Sequence, residues 1–452
     1  MLPLLEAPAA PGPNECAQKH VISNGSTLSK ITTRHWRTSA CGDGRLGVES
    51  IRDLRGEVLF TLRLPWPDLL SSKRTTPKRR ASLDAVNHLV LSRHQGRKPR
   101  NGGYVPVPFA LVQKIAGDKL GPESLRDLVG IGAIECDHAY RKGERCNGYR
   151  FSEEGLSFGF TARLAPQYIA QRLQEDRAHR TRVSIGAEPA YEQMWSLLKK
   201  VRFAPEVWPA LERHFQICLD GGKIVRGYCA LLATHEINQR RWLFTYDPDT
   251  GRCFNNVSNY PKVLRPFLVL DGEPTGECDI ANSQPLLLAA LAYGHDHSEE
   301  RTRFVELVTS GQFYETLGAW AGFVGKDRGW LKGRVYSEVL FGHEWFRAKM
   351  WNALATHFPH LAAYIDEVKC DDHRQLALLL QRKEAEVIVH NIIPRLTAMG
   401  IDALSIHDGC LSRAGDVGSV MRVMEEEVEA AIGIKPLVRV KSPSIPQAVQ
   451  VA

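Results

Sequence analysis

The chain has 452 residues, 43% of them hydrophobic and 24% charged, enough for a substantial core and for two or three domains. No run of about 18 apolar residues is present, so a membrane span is not expected. Ten cysteines stand singly with no Cys-x-x-Cys pair, which argues against a zinc ribbon or a disulfide framework and for reduced thiols in a cytoplasm.

The net charge of +7 is unevenly spread. The opening "MLPLLEAPAAPGPNEC" starts apolar but lacks a basic stretch, so it reads as a loose tail and not as a signal peptide. Residues 1–75 hold short apolar runs such as "GEVLFTLRLPW" and stay unassigned. From Lys73 to Arg100 nine residues are Lys or Arg and one is acidic. Such a block repels itself unless solvated or set against an anion; nucleic acid is its natural partner and a solvated linker the plain alternative. "SLDAVNHLVLSRH", "VPFALVQKIAG" and "GPESLRDLVGIG" have helical spacing, and "AIECDHAY" and "YRFSEEG" read as strands joined by the basic turn "RKGERCNG". Three helices and a two-stranded wing describe a winged helix-turn-helix over residues 76–160. In that arrangement the third helix enters a DNA groove while Arg141, Lys142 and Arg145 reach phosphates. Docking onto a protein is the other use of such a module.

Helical patterns fill residues 161–250 ("YEQMWSLLKKV", "VWPALERHFQICL") until "RWLFTYDPDTGRCFNNVSNYP", where Asp-Pro-Asp-Thr-Gly signals a hairpin. Next comes "ECDIANSQPLLLAAL", in which Asp279 ends a strand-like run and an apolar helix follows at once. Helices are expected over Thr302–Leu317, Asp327–Leu340, Trp345–Val368 and Leu376–Met399. A strand-turn-strand, "DALSIHDGCLSRAGD", one more helix and the strand "KPLVRVKS" close the chain. The clusters "HDH" (His295 to His297) and "CDDH" (Cys370 to His373) read as solvated turns.

Asp408 stands at the bend of that last hairpin, where a side chain is exposed beside the sheet. Taken singly, Asp279 is a helix cap and Asp408 a turn residue. Taken together, on neighbouring strands, they offer hard oxygen ligands suited to Mg²⁺, with Mn²⁺ as a substitute. Two such ions about 4 Å apart can activate one oxygen and stabilise another during phosphoryl displacement. Between the acids, "DRGWLKGRVYSEVLFG" puts Arg328, Lys332 and Tyr336 at steps of four, on one helix face. Two cations and a ring can bind a triphosphate and stack a base or sugar; the plain alternative is a solvated amphipathic helix.

The ordered set "TGRCFNNVSNYP", "CDIANSQPLLLAAL", "DRGWLKGRVYSEVLFG", "LQRKEAEVIVHNIIPRLTAMGIDALSIHDG" and "LVRVKS" resembles family A DNA polymerases and the related single-subunit, phage-type RNA polymerases, roughly over Arg240 to Ser442. The resemblance implies an α+β right-hand fold, an antiparallel-sheet palm with helical fingers and thumb, preceded here by the winged helix. The implied division is a thumb-like region at 161–250 and palm and fingers at 251–452, with the palm at 251–294 and 395–452 and the fingers at 295–394. It further implies Asp279, Asp408 and the Ile280 carbonyl as metal ligands. Lys332 would be catalytic and, with Arg328, would bind the triphosphate, with Tyr336 or Phe341 against base and sugar. Arg252 would lie on the duplex backbone, Gln381 near its minor groove and His407 at the primer terminus.

Two departures stand out. Thirteen positions separate Arg328 from Phe341, one more than the family has to its Tyr-Gly tyrosine, so the helix holds a one-residue bulge or the register shifts by one. Gln284 stands where bacterial DNA polymerases have a glutamate, and Phe341 lacks a hydroxyl, so the choice between ribose and deoxyribose stays open. The implied function is template-directed nucleotidyl transfer with DNA template, primer and nucleoside triphosphates as partners. A DNA polymerase comes first; an RNA polymerase or primase, or a non-enzymatic replication initiator, is the alternative. The expected setting is a cytoplasm, of a bacterium or of a host carrying a phage or plasmid.

Overall fold

The computed structural model describes residues 47–64, 76–95, 101–186, 188–294 and 296–441. The N-terminal tail, residues 73–75 and 96–100 of the basic block, and His295 lie outside the described residues.

Strand β1 (Val58–Leu62) is buried at all five positions and pairs antiparallel with β5 (Phe160–Leu164). Helix α1 (Pro77–His94) opens on a proline, whose missing N–H costs nothing in a first turn, and the Thr76 hydroxyl accepts from Arg79 N at 3.2 Å. Every residue from Ala81 to Leu91 is buried. Three polar members of that run are tied down, and two of them reach β1. The Thr61 hydroxyl donates to Asp84 at 3.0 Å, Phe60 N to His88 Nδ1 at 3.1 Å, and Asn87 donates to Leu83 O at 3.1 Å. Strand β2 (Val105–Pro106), helices α2 (Phe109–Ala116) and α3 (Leu120–Gly130), and strands β3 (Ile134–Cys136) and β4 (Gly148–Phe151) follow. β4 is central in the three-stranded sheet β2-β4-β3. Periodicity signals only two of these strands, because β2 is two residues long. Arg79 pairs with Asp127 of α3 and approaches Glu123 of the same helix at 4.0 Å.

Helices α4 (Gln167–Ile185) and α5 (Ile224–Asn238) lead to a separate hairpin, β7 (Phe244–Tyr246) and β8 (Cys253–Asn255). The larger sheet runs β11-β12-β10-β9-β6, with β13 also on β10. Its strands are β6 (Val201–Phe203), β9 (Leu268–Leu270), β10 (Glu273–Ile280), β11 (Ala403–Ile406), β12 (Gly409–Arg413) and β13 (Val438–Lys441), and every pairing is antiparallel. One strand of this sheet, β6, therefore comes from the helical region before the β7–β8 hairpin. Helix α6 (Ser283–Tyr293) follows β10 and packs on α9 (Gln375–Ala385), and α10 (Val417–Ile432) covers β10.

The helical stretch between the two hairpins is more broken than its periodicity suggests. The expected helix Thr302–Leu317 divides into Glu299–Thr309 and α7 (Phe313–Trp320), separated by Gly311 at φ +79°. Trp345–Val368 divides at Pro359, which cannot continue a preceding helix, into Lys349–His357 and Pro359–Lys369. Helix α8 (Arg328–Val335) runs into a π-turn over Tyr336–Leu340, closed by Phe341 N to Tyr336 O at 2.8 Å. A π-turn holds one extra residue, and it lies within the stretch from Arg328 to Phe341. A second π-segment, Glu386–Ile392, follows α9. Among the described residues no helix is long and apolar enough to cross a membrane.

Candidate active site

β10 and β12 pair with Asp279 opposite Gly409, and Ile280 N donates to the Asp408 carbonyl at 3.0 Å. Two acids 129 positions apart in the chain are thus brought together, Asp279 on β10 and Asp408 in the turn that leads into β12. Local chemistry explains the approach. A Cβ at Gly409 would overlap the Cys278 carbonyl oxygen, so only glycine lets the strands close here. The hairpin turns on two residues, His407 and Asp408, and His407 takes φ +54°. Asn282, three residues after Asp279, also has φ +54°. Left-handed backbone is rare for non-glycine residues and is held only when the surroundings demand it.

Asp279 is not a helix cap. The residue before α6 is Asn282, which makes no side-chain cap bond and instead donates to Val308 O at 2.9 Å while accepting from Arg328 at 2.8 Å. Asp279 faces Lys441, whose ammonium lies 2.8 Å from it and 2.6 Å from Glu277. Arg265 holds the other Glu277 oxygen at 2.8 Å. Burial works to raise the Glu277 carboxyl, but Arg265 and Lys441 more than offset it and hold it below the usual range.

Lys332 projects from α8 over the rings of Tyr314 and Tyr336, 5.9 and 5.3 Å from their centroids. Burial lowers its ammonium below the ordinary lysine range, and Asp408 and Asp279 both oppose that, so the cation lies within electrostatic reach of both acids. Burial raises the Tyr336 phenol well above its usual range and pushes Tyr314 up to about 12, so both rings stay neutral. Phe341 stacks on Tyr336 at 4.8 Å and 16°. Arg328 lies 5.0 Å over Tyr314 but is already engaged by Glu315 at 2.5 Å, by Gly311 O at 3.1 Å and by Asn282. It ties α8 to the start of α6, whereas Lys332 faces the acids.

A buried cluster supports the floor. Glu384 of α9, 2% exposed, accepts from Arg252, from Gln284 Nε2 and from the Ser283 hydroxyl. Burial raises this carboxyl, Arg252 opposes that, and Asp408 adds to it. Arg252 therefore bonds a protein carboxylate across to α9, and Gln284 presents its amide N–H to the same group. The Gln284 carbonyl oxygen, also buried, has no donor among the described residues. Gln381 is half-buried one turn ahead of Glu384. His407 packs against Phe254 at 5.9 Å, and burial, aided by Arg252, lowers its imidazole.

Arg141, Lys142 and Arg145 are exposed in the turn between β3 and β4, with Arg141 3.9 Å from Glu144 and Arg145 3.3 Å from Asp137. Helix α3 carries Glu123 and Asp127, both set against Arg79, beside its exposed Arg126. "CDDH" is a turn in which Asp372 bonds Arg374, and among the described residues no group of three or more His, Cys, Asp or Glu is placed to hold a metal ion.

Sequence reasoning did not find Glu384, Lys441 or Tyr314. Glu384 lies inside the quoted "LQRKEAE", where an acid in a run of cations reads as a surface pair. Lys441 alternates with Arg439 along β13 like a solvated strand face, and Tyr314 gives no signal.

No protein-family model matches the chain, and no curated protein matches it. Among solved structures it is similar to the POL domain of Pol1 from M. smegmatis in complex with DNA primer-template and dNTP. The identity is 13%, over 78% of this chain and 80% of that chain, with a TM-score of 0.37. At that overlap neither family nor activity is fixed, and the functional reading rests on the residues themselves.

Proposed function

We propose that the chain is a template-directed nucleotidyltransferase, most simply a DNA-directed DNA polymerase of family A type with palm, fingers and thumb. The observation that carries this reading is the convergence of Asp279 and Asp408 beside Lys332. The donor set is all oxygen, two carboxylates and the Ile280 carbonyl, with an ammonium already seated on Asp279 where a cation belongs. That fits Mg²⁺, which keeps room for water and phosphate oxygens. Ions held by Asp279 and Asp408 would supply activation of the primer hydroxyl and charge neutralisation for the leaving pyrophosphate. The chain's own residues align the reactants: Lys332 meets the triphosphate, the Tyr336–Phe341 stack borders base and sugar, and His407 on Phe254 borders the primer end. Alignment and fixed charge supply the rate. Arg328 reaches phosphate only by leaving Glu315.

The N-terminal order helix, strand, two helices and two strands supports a winged helix, with Arg141, Lys142 and Arg145 meeting duplex phosphates from the turn and not from α3. A second reading, RNA polymerase or primase, is favoured by one feature: the buried Gln284 carbonyl has no donor among the described residues, and a ribose 2′-OH would supply one. The deciding experiment is metal-dependent extension of a labelled primer-template with dNTPs and rNTPs in turn. Asp279→Asn and Asp408→Asn lose extension by at least about 10³-fold while keeping fold and DNA affinity. Replacing the three wing cations by alanine weakens DNA binding and flattens its salt dependence. Near-full extension by either aspartate variant overturns the site, and absence of any incorporation by the parent leaves a non-enzymatic initiator.

A further inference from the structure

Lys441 takes no step in the chemistry above, yet its ammonium lies 2.8 Å from Asp279. The register explains why. Lys441 stands opposite Glu277 in the β10–β13 pairing, and Asp279 is the next residue on the same face of β10. One ammonium therefore bridges both carboxylates, at 2.6 and 2.8 Å. Glu277 is held independently by Arg265, which is 4% exposed, so its position does not depend on Lys441.

A divalent ion arriving at Asp279 meets a carboxylate that already carries a cation. It either shares that group with a like charge or displaces it, and displacement does not strand the ammonium, because Glu277 remains in contact. Lysine suits such a shift: it is a point charge with three rotatable donors on a flexible stem, whereas arginine's planar fork would fix one geometry.

We propose that Lys441 is a resident, displaceable counter-cation of Asp279, which moves wholly onto Glu277 when a divalent ion binds and so sets the ion concentration at which the site fills. This rests on the two-acid metal reading. Removing the ammonium removes a competitor, so the variant binds metal more tightly.

The test is Mn²⁺ binding to the metal-stripped full chain, read from the free-ion paramagnetic resonance signal with no nucleotide or DNA present. Lys441→Met, which keeps the stem, binds Mn²⁺ about tenfold more tightly than the parent. Lys441→Gln, whose polar head Glu277 still accepts, moves the same way and serves if the methionine variant misfolds. Unchanged or weaker Mn²⁺ binding in a folded variant overturns the proposal. Asp279→Asn and Asp408→Asn separate the two layers. If they abolish Mn²⁺ binding while Lys441→Met gains none, only the counter-cation falls. If they leave it at the parental level, the two-acid reading falls and the counter-cation with it.

Discussion

Lys332 is the residue on which phosphate binding turns. It is the cation of α8 that faces both acids, and its ring neighbours, Tyr314 and Tyr336, donate no competing charge. Arg328, one helical turn earlier, spends its guanidinium on Glu315 and Asn282. Replacing Lys332 by alanine is expected to lower kcat/KM for single-nucleotide incorporation about 10²-fold or more, with unfolding unchanged. Full activity would show that Lys332 does not meet the triphosphate. The step-of-four pattern showed that these cations share a face, but it could not show which of them a neighbouring helix had already neutralised.

At the scale of the element, the acid hairpin depends on a missing side chain. Gly409 gives β12 its close approach to β10 at Cys278, and Asp408 is carried by that approach. A methyl group there must push the strands apart. Misplacement of the acids by about 1 Å costs about 10²-fold in rate, so Gly409→Ala is expected to lose at least that much extension activity while the chain still folds. Gly415→Ala is the control, since a Cβ at Gly415 meets nothing within 4 Å. Equal activities in the two variants would show that the site tolerates strand separation. The π-turn after α8 belongs to the same scale. Its extra residue puts Phe341 flat on Tyr336, and Gly342 is needed because a Cβ there would overlap the Ser337 carbonyl oxygen. In the sequence this appears only as a spacing one residue too long.

At the scale of the whole molecule, three histidines outside the site, the buried His88 and His235 and the half-buried His94, contribute to the response to acid. Burial pushes His88, His94 and His235 down to about 4, whereas in the unfolded chain each titrates near its ordinary value. The unfolded state therefore takes up protons first, and the stability these groups contribute, present above about 6.5, is lost as pH falls towards 4. Asp84 acts in the opposite sense: burial raises it to about 6, so its contribution is present below its unfolded pKa and lost as pH rises through 6. Glu236, Glu384 and Glu212, whose carboxyls burial also raises, act in the same sense as Asp84. A shift of the size seen at His88 is linked to about 3 kcal/mol, so His88→Asn, whose amide oxygen can still accept from Phe60 N, is expected to lose less melting temperature than the parent between pH 6.5 and 4.5. Parallel profiles would contradict the burial of this ring.

The sequence by itself determined the strand that carries Asp279, the hairpin turn that carries Asp408, the cation face of α8 and the three-helix module, because each is written in local periodicity or in turn chemistry over a few residues. What only the tertiary structure decided is the electrostatic pairing of those residues. Lys441 reaches Asp279 through strand register, Glu384 reaches Arg252 and Gln284 through helix packing, and Glu315 takes Arg328 from a neighbouring helix. Such pairs join residues distant in the chain, and a charge in a sequence has the same appearance whether it will face water, a substrate or an opposite charge in the core.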